Sequence, residues 1–105
     1  SLNNMKYKNE KIIYIPGDIM LNIERSHYIY KSYSAFISIL TKEFINHQSK
    51  ETEDLIEKYR TMYQNAYIEF NMYIDMIIND EFGKIIDNMQ YAIDFNERKI
   101  MFRWN

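Results

Sequence analysis

The chain has 105 residues, with 13 basic against 15 acidic side chains, a formal net charge of −2 and no cysteine. That composition excludes a disulfide scaffold, a thiolate metal site and a thiol nucleophile, and it leaves no overall basic footprint for nucleic acid. Two glycines and one proline leave few breakers, so elements run long, and no apolar run reaches the ~18 residues of a membrane span.

A single domain over residues 1–105 is the expectation for this length, with residues 1–10 irregular or expression-derived. Ser1–Asn4 read as an expression remnant ahead of a native start at Met5. No basic-then-apolar signal pattern opens the chain, and the absence of cysteine is compatible with the cytoplasm, which is the expected location. Partners are expected to be proteins or peptides, including a second copy of the chain, with neither nucleic acid nor membrane.

Lys11–Ile15, "KIIYI", is a β-branched and aromatic run that stops at Pro16-Gly17, a turn dipeptide, and reads as a strand. Asp18 follows as a candidate N-cap. From there to about His47 there is neither glycine nor proline, and Ile19, Ile23, Tyr30, Tyr33, Ile37, Leu40 and Phe44 recur at helical spacing. Two readings cover the start of this stretch. One begins the helix at Asp18. The other pairs Ile19–Ile23 with the strand as a hairpin and begins the helix near Ser26. The long helix is preferred, because Met20 to Asn22 fit no clean alternation.

Asn46–Glu51, "NHQSKE", is a polar break with Ser49 as a candidate cap. Glu51, Glu53 and Asp54 then favour a helix N-terminus by charge. The second helix is expected from about Glu51 to Phe82, with a stripe of Leu55, Tyr59, Met62, Ala66, Phe70, Tyr73 and Ile77, widened by Ile56, Tyr63, Ile74 and Ile78. Gly83 fits the C′ position. A short loop between two long helices makes an antiparallel αα-hairpin.

The tail, Tyr91–Asn105, alternates instead. With Asn96–Lys99 as the turn region, Phe95 faces Ile100, Ile93 faces Phe102 and Tyr91 faces Trp104, and the large apolar side chains share one face. An isolated hairpin is barely stable in water, so Lys11–Ile15 is expected to join it as a third strand. The fold class is therefore α+β, mainly α: a long antiparallel αα-hairpin packed against a small antiparallel sheet made of the C-terminal β-hairpin plus the N-terminal strand.

Candidate chemistry is sparse. Glu24 and His27 share a helical face, as do Glu43 and His47, but di-iron carboxylate bundles need two Glu-x-x-His motifs and further carboxylates. Two surface histidines near carboxylates are the plainer reading, and no metal or cofactor is expected. Two glycines cannot build a phosphate loop, and no Gly-x-Ser-x-Gly elbow is present. Ser26, Ser32, Ser34 and Ser38 read as ordinary helix-surface serines, and Asp94 with Glu97 as turn residues. Asp75, Asp80, Glu81 and Asp87 cluster near the end of the second helix, against its dipole. Tyr59, Tyr63 and Tyr67, at i, i+4 and i+8, form a ladder. It serves either the core margin, with rings buried and hydroxyls wet, or an interaction surface.

The order of elements, with Ile23-Glu24-Arg25 in the first helix, an acidic-led second helix, Ile93-Asp94-Phe95 in a strand and Ile100 in the return strand, resembles the small accessory proteins of Cys-X-X-X-repeat peptide modification systems. These systems are similar to other ribosomal peptide natural-product clusters with a radical S-adenosylmethionine maturase. The resemblance implies a non-catalytic partner that binds a precursor peptide or its maturase. A homodimeric structural or regulatory module, from a phage or mobile element, is the alternative.

Overall fold

The computed structural model describes residues 6–105. The reading of Ser1–Asn4 and Met5 lies outside the described residues. Along the chain come β1 (Asn9–Tyr14), α1 (Gly17–Asn46), α2 (Lys50–Phe82), β2 (Gln90–Asp94) and β3 (Lys99–Trp104). The protein is α+β, mainly α, with two long packed helices, a three-stranded antiparallel sheet and β2–β3 as a C-terminal hairpin. No helix among the described residues is long and apolar enough to cross a membrane. The described residues fall into two compact units: residues 6–21 with Asp75–Asn105, and Asn22–Ile74.

In the sheet unit, β3 lies between β1 and β2. Ile13, Ile100 and Ile93 stand in one rung, and Lys11, Phe102 and Tyr91 in another. Ile100 and Phe102 are fully buried, because the central strand has neighbours on both sides and α2 residues beneath it. The Phe82 ring meets Phe102 at 5.6 Å and Trp104 at 4.9 Å, both edge-on. Ile77 and Ile78 of α2, with Ile13, Ile15 and Met20, complete this core.

The hairpin register differs from the expected one. Ile93 pairs with Ile100 and Tyr91 with Phe102, and Phe95 leaves the ladder for a four-residue loop, residues 95–98. Two hydrogen bonds and one backbone conformation select this turn. The Asp94 carboxylate accepts the Glu97 N–H at 2.9 Å, Arg98 takes a left-handed φ of 55°, and the Arg98 carbonyl accepts the Ile15 N–H at 2.8 Å. The shift changes partners by two positions, so the alternation is kept and the apolar residues stay on one face. Asn9 and Glu10, expected in the irregular stretch, belong to β1.

α1 is continuous from Gly17, which removes the alternative of a hairpin at Ile19–Ile23. The helix starts one residue before Asp18. The Pro16 carbonyl accepts the first helical N–H, from Met20, and the Asp18 carboxylate accepts the Ile19 N–H at 2.9 Å within the first turn. Ser49 does cap α2: its hydroxyl accepts the Thr52 N–H at 3.1 Å and donates to the Thr52 hydroxyl at 2.8 Å. Gly83 ends α2 with φ of 72° and donates to the Asn79 carbonyl at 2.8 Å, a left-handed C′ that a side chain would strain. The acidic end of α2 is partly answered by Lys11, whose ammonium lies 3.5 Å from Glu81 and 5.5 Å above the Phe82 ring.

In urea titrations, Phe102→Ala is expected to cost about 3–5 kcal/mol, the usual range for emptying a buried phenylalanine site. Gly83→Ala is expected to cost roughly 1 kcal/mol through its positive φ. A larger effect at Gly83 than at Phe102 would contradict this core.

Candidate functional site

The helical unit is an antiparallel pair held by a seam of rings. Tyr33 meets Tyr59 at 5.4 Å, and Tyr30 meets Tyr63 at 6.0 Å, Tyr67 at 5.3 Å and Phe70 at 5.3 Å. The Tyr63 and Tyr67 rings stack at 5.7 Å. Tyrosines suit this seam because the rings supply apolar contact while their hydroxyls reach water.

The tyrosine ladder packs against α1 at successive heights. Positions four apart drift by about 40° around a helix of 3.6 residues per turn, so Tyr59 and Tyr67 stand about 80° apart. Tyr59 leans on Tyr33 and on Phe36, 6.1 Å away, whereas Tyr63 and Tyr67 flank Tyr30. Tyr59 and Tyr63 are half-buried and Tyr67 is exposed. Burial pushes the Tyr30 phenol above its ordinary value, with repulsion from Tyr67 and then Tyr63 adding to the shift.

His27 is part of the same seam. Its ring lies 5.2 Å from Tyr30 and 5.5 Å from Phe70, while Glu24 on the same helix is exposed. Among the described residues no three His, Cys, Asp or Glu side chains converge as metal ligands. Burial holds the His27 imidazole below 6.5, and the nearby Lys31 charge adds to the effect. Ser26 corrects the reading of its row. It is buried, and its hydroxyl donates to the Asn22 and Ile23 carbonyls at 3.0 and 3.1 Å. Ser34 and Ser38 are exposed and Ser32 is half-buried. Asp94 acts in the turn described above.

Leu55 and Met62, placed in the core stripe by periodicity, are exposed, as are Ile29, Phe36 and Ile39 on α1. From His27 to Asn65 the one buried residue is Thr52. The signal for this outer face was present in the sequence as a second apolar series on α1, beside the series facing α2.

The sheet unit offers a different site. β1 is an edge strand, paired with β3 on one side and open on the other among the described residues. Beside it lies a cleft of about 220 Å³, with a floor of Ile13, Ile15, Ile19 and Ile77 and a lip of Asp80 and Glu81. Ile12 and Tyr14 are exposed on the strand, Tyr14 to 69%. An extended chain beside β1 would meet backbone donors and acceptors, an apolar recess and negative charge.

A pH prediction follows from His27. Its folded pKa is depressed, so the unfolded chain binds more protons near pH 6, and stability should fall as pH drops through the interval below 6.5. His27→Phe, which keeps a ring in the seam, should lose less stability than the wild type between pH 7 and pH 5 in urea titrations. Equal losses would contradict the assignment. Comparison with protein-family models, with curated proteins and with solved structures finds no match to this chain.

Proposed function

We propose that the chain is a non-catalytic accessory protein of a peptide modification system, and that it binds an extended precursor peptide along the open edge of β1. The observation that carries this reading is the pairing of that edge with the adjacent cleft. Strand addition draws affinity from main-chain hydrogen bonds and specificity from pockets that take alternate side chains. Here the pocket floor is apolar, and at its lip stand Glu81, already 3.5 Å from Lys11, and the exposed Asp80, the carboxylate left to meet a peptide's charge. The preferred peptide therefore carries an apolar side chain next to a lysine or arginine. The resemblance of Ile93-Asp94-Phe95 and its neighbourhood to accessory proteins of Cys-X-X-X-repeat systems points to the same class of ligand.

The tyrosine ladder supports this role less well. Its rings are spent on α1, with Tyr59 against Tyr33 and Tyr63 and Tyr67 against Tyr30. The peptide site stands on the sheet unit alone.

Fluorescence anisotropy with a labelled cysteine-repeat peptide that carries one basic residue tests the proposal. Saturable binding is expected. Asp80→Lys, an exposed change, should weaken it about tenfold, the loss of roughly one favourable charge contact and the gain of an unfavourable one. Tyr63→Ala should leave it unchanged. Absence of binding at millimolar peptide, or loss with Tyr63→Ala in a normally folded protein, would overturn the β1 site. A gene neighbourhood with neither a maturase nor a cysteine-repeat peptide would remove the specific biological role.

A further inference from the structure

The helical unit carries an exposed apolar series, apart from the peptide site proposed above. On α1, Tyr30, Tyr33, Ile37 and Leu40 turn toward α2 and are half-buried. A separate series, Arg25, Ile29, Ser32, Phe36, Ile39 and Glu43, falls within an arc of about 80° on the outer part of the helix. Ile29, Phe36 and Ile39 are 41%, 50% and 62% exposed.

On α2, Leu55 and Met62 lie rotated from the α1-facing side in the same sense, and are 39% and 38% exposed. In an antiparallel pair, equal rotation on both helices leads to the same flat side of the hairpin. Phe36 marks that side through its contact with Tyr59 at 6.1 Å. The opposite side is mixed: one cleft is lined by Ser34, Ile37, Arg60, Tyr63 and Gln64, and the other by Thr41, Phe44, Glu53, Ile56, Glu57 and Arg60. Charged side chains (Glu53, Glu57 and Arg60) rim the clefts on that side, whereas Ile29, Phe36 and Ile39 stand exposed in one series on the other.

The spacing of the outer series on α1 is the same in both directions. About Ser34, Ser32 is balanced by Phe36, Ile29 by Ile39, and Arg25 by Glu43. The two charges are opposite and symmetrically placed. They lie about 27 Å apart along one helix at 1.5 Å per residue, so they cannot meet within one chain. Neither has an ion-pair partner among the described residues. An isologous two-fold interface requires that residue i meet j and j meet i.

We propose that a second copy of the chain covers this face, with the two α1 helices antiparallel about a two-fold axis level with Ser34. Arg25 of each copy then meets Glu43 of the other, and Ile29 meets Ile39. Leu55 and Met62 flank the contact and extend it toward a four-helix bundle. The five apolar side chains expose on the order of 500 Å² per copy, against about 800 Å² per partner in a standard interface. Tyr28, Arg25 and Glu43 at the rim supply the remainder.

Sedimentation equilibrium at micromolar concentration tests this directly. The wild type should show twice the 12.9 kDa chain mass. Phe36→Glu should be monomeric with unchanged helicity by circular dichroism. Arg25→Glu or Glu43→Arg alone places like charges in opposition twice per dimer and should weaken association about tenfold or more. The double variant Arg25→Glu/Glu43→Arg should return to within a few-fold of wild type. A strict monomer at several hundred micromolar, a dimer indifferent to Phe36→Glu, or a double variant no tighter than the single ones would overturn the proposal.

Discussion

Two antiparallel helices can cover only one stripe of each other's surface. In the helical unit this constraint governs everything between His27 and Asn65. No third element of that unit covers the pair, so apolar side chains there reach half-burial at most, and Thr52 alone is buried, near the Ser49 cap. A seam under that limit favours side chains that tolerate a wet edge. Tyr30, Tyr33, Tyr59, Tyr63 and Tyr67 meet the requirement, with rings 5.3–6.0 Å apart across the pair and hydroxyls free to reach solvent.

The sheet unit obeys a different rule. A three-stranded sheet has one strand flanked on both sides, and here it is β3, whose Ile100 and Phe102 are fully buried. The end of α2 supplies the cover through Ile77, Ile78 and Phe82. Two edges remain. β1 carries the charged residues Glu10 and Lys11, a known way of discouraging edge-to-edge aggregation. Lys11 is committed to Glu81 and the Phe82 ring, and Glu10 lies 3.9 Å from Arg103, which leaves the far part of the strand, Ile12 to Tyr14, beside the cleft.

Much of this architecture was legible in the residues, where one local rule sufficed. Gly83 after a periodic run, Ser49 after a polar break and Pro16-Gly17 after a β-branched run each marked a boundary that the structure keeps. The third strand followed from the instability of a lone hairpin. The register of β2 and β3 was not legible, since a shift of two positions preserves every inward-facing residue. The choice rests on the Asp94 side chain, the left-handed Arg98 and a bond to Ile15, distant in sequence. The same limit hid the outer face of the hairpin. Periodicity finds apolar series but does not say which of two series meets the partner helix, so Leu55 and Met62 were assigned inward. Spacing alone also left open what the tyrosine ladder meets, and the structure sets Tyr59 against Tyr33 and Tyr63 and Tyr67 against Tyr30.

The two proposed surfaces rest on separate units and different physics, one on main-chain pairing beside an acidic cleft, the other on an apolar stripe with opposite charges at its ends. The stripe makes the stronger demand, because the opposite charges of Arg25 and Glu43 at its ends fix an orientation. The chain has no native cysteine, so Ala35→Cys, one position from the inferred axis, takes a single nitroxide. An antiparallel dimer places the two labels across the 8–10 Å that separates packed helices, and double electron–electron resonance should report one inter-label distance under about 25 Å. Labels on Ala35→Cys that show no dipolar coupling between copies would contradict the two-fold dimer.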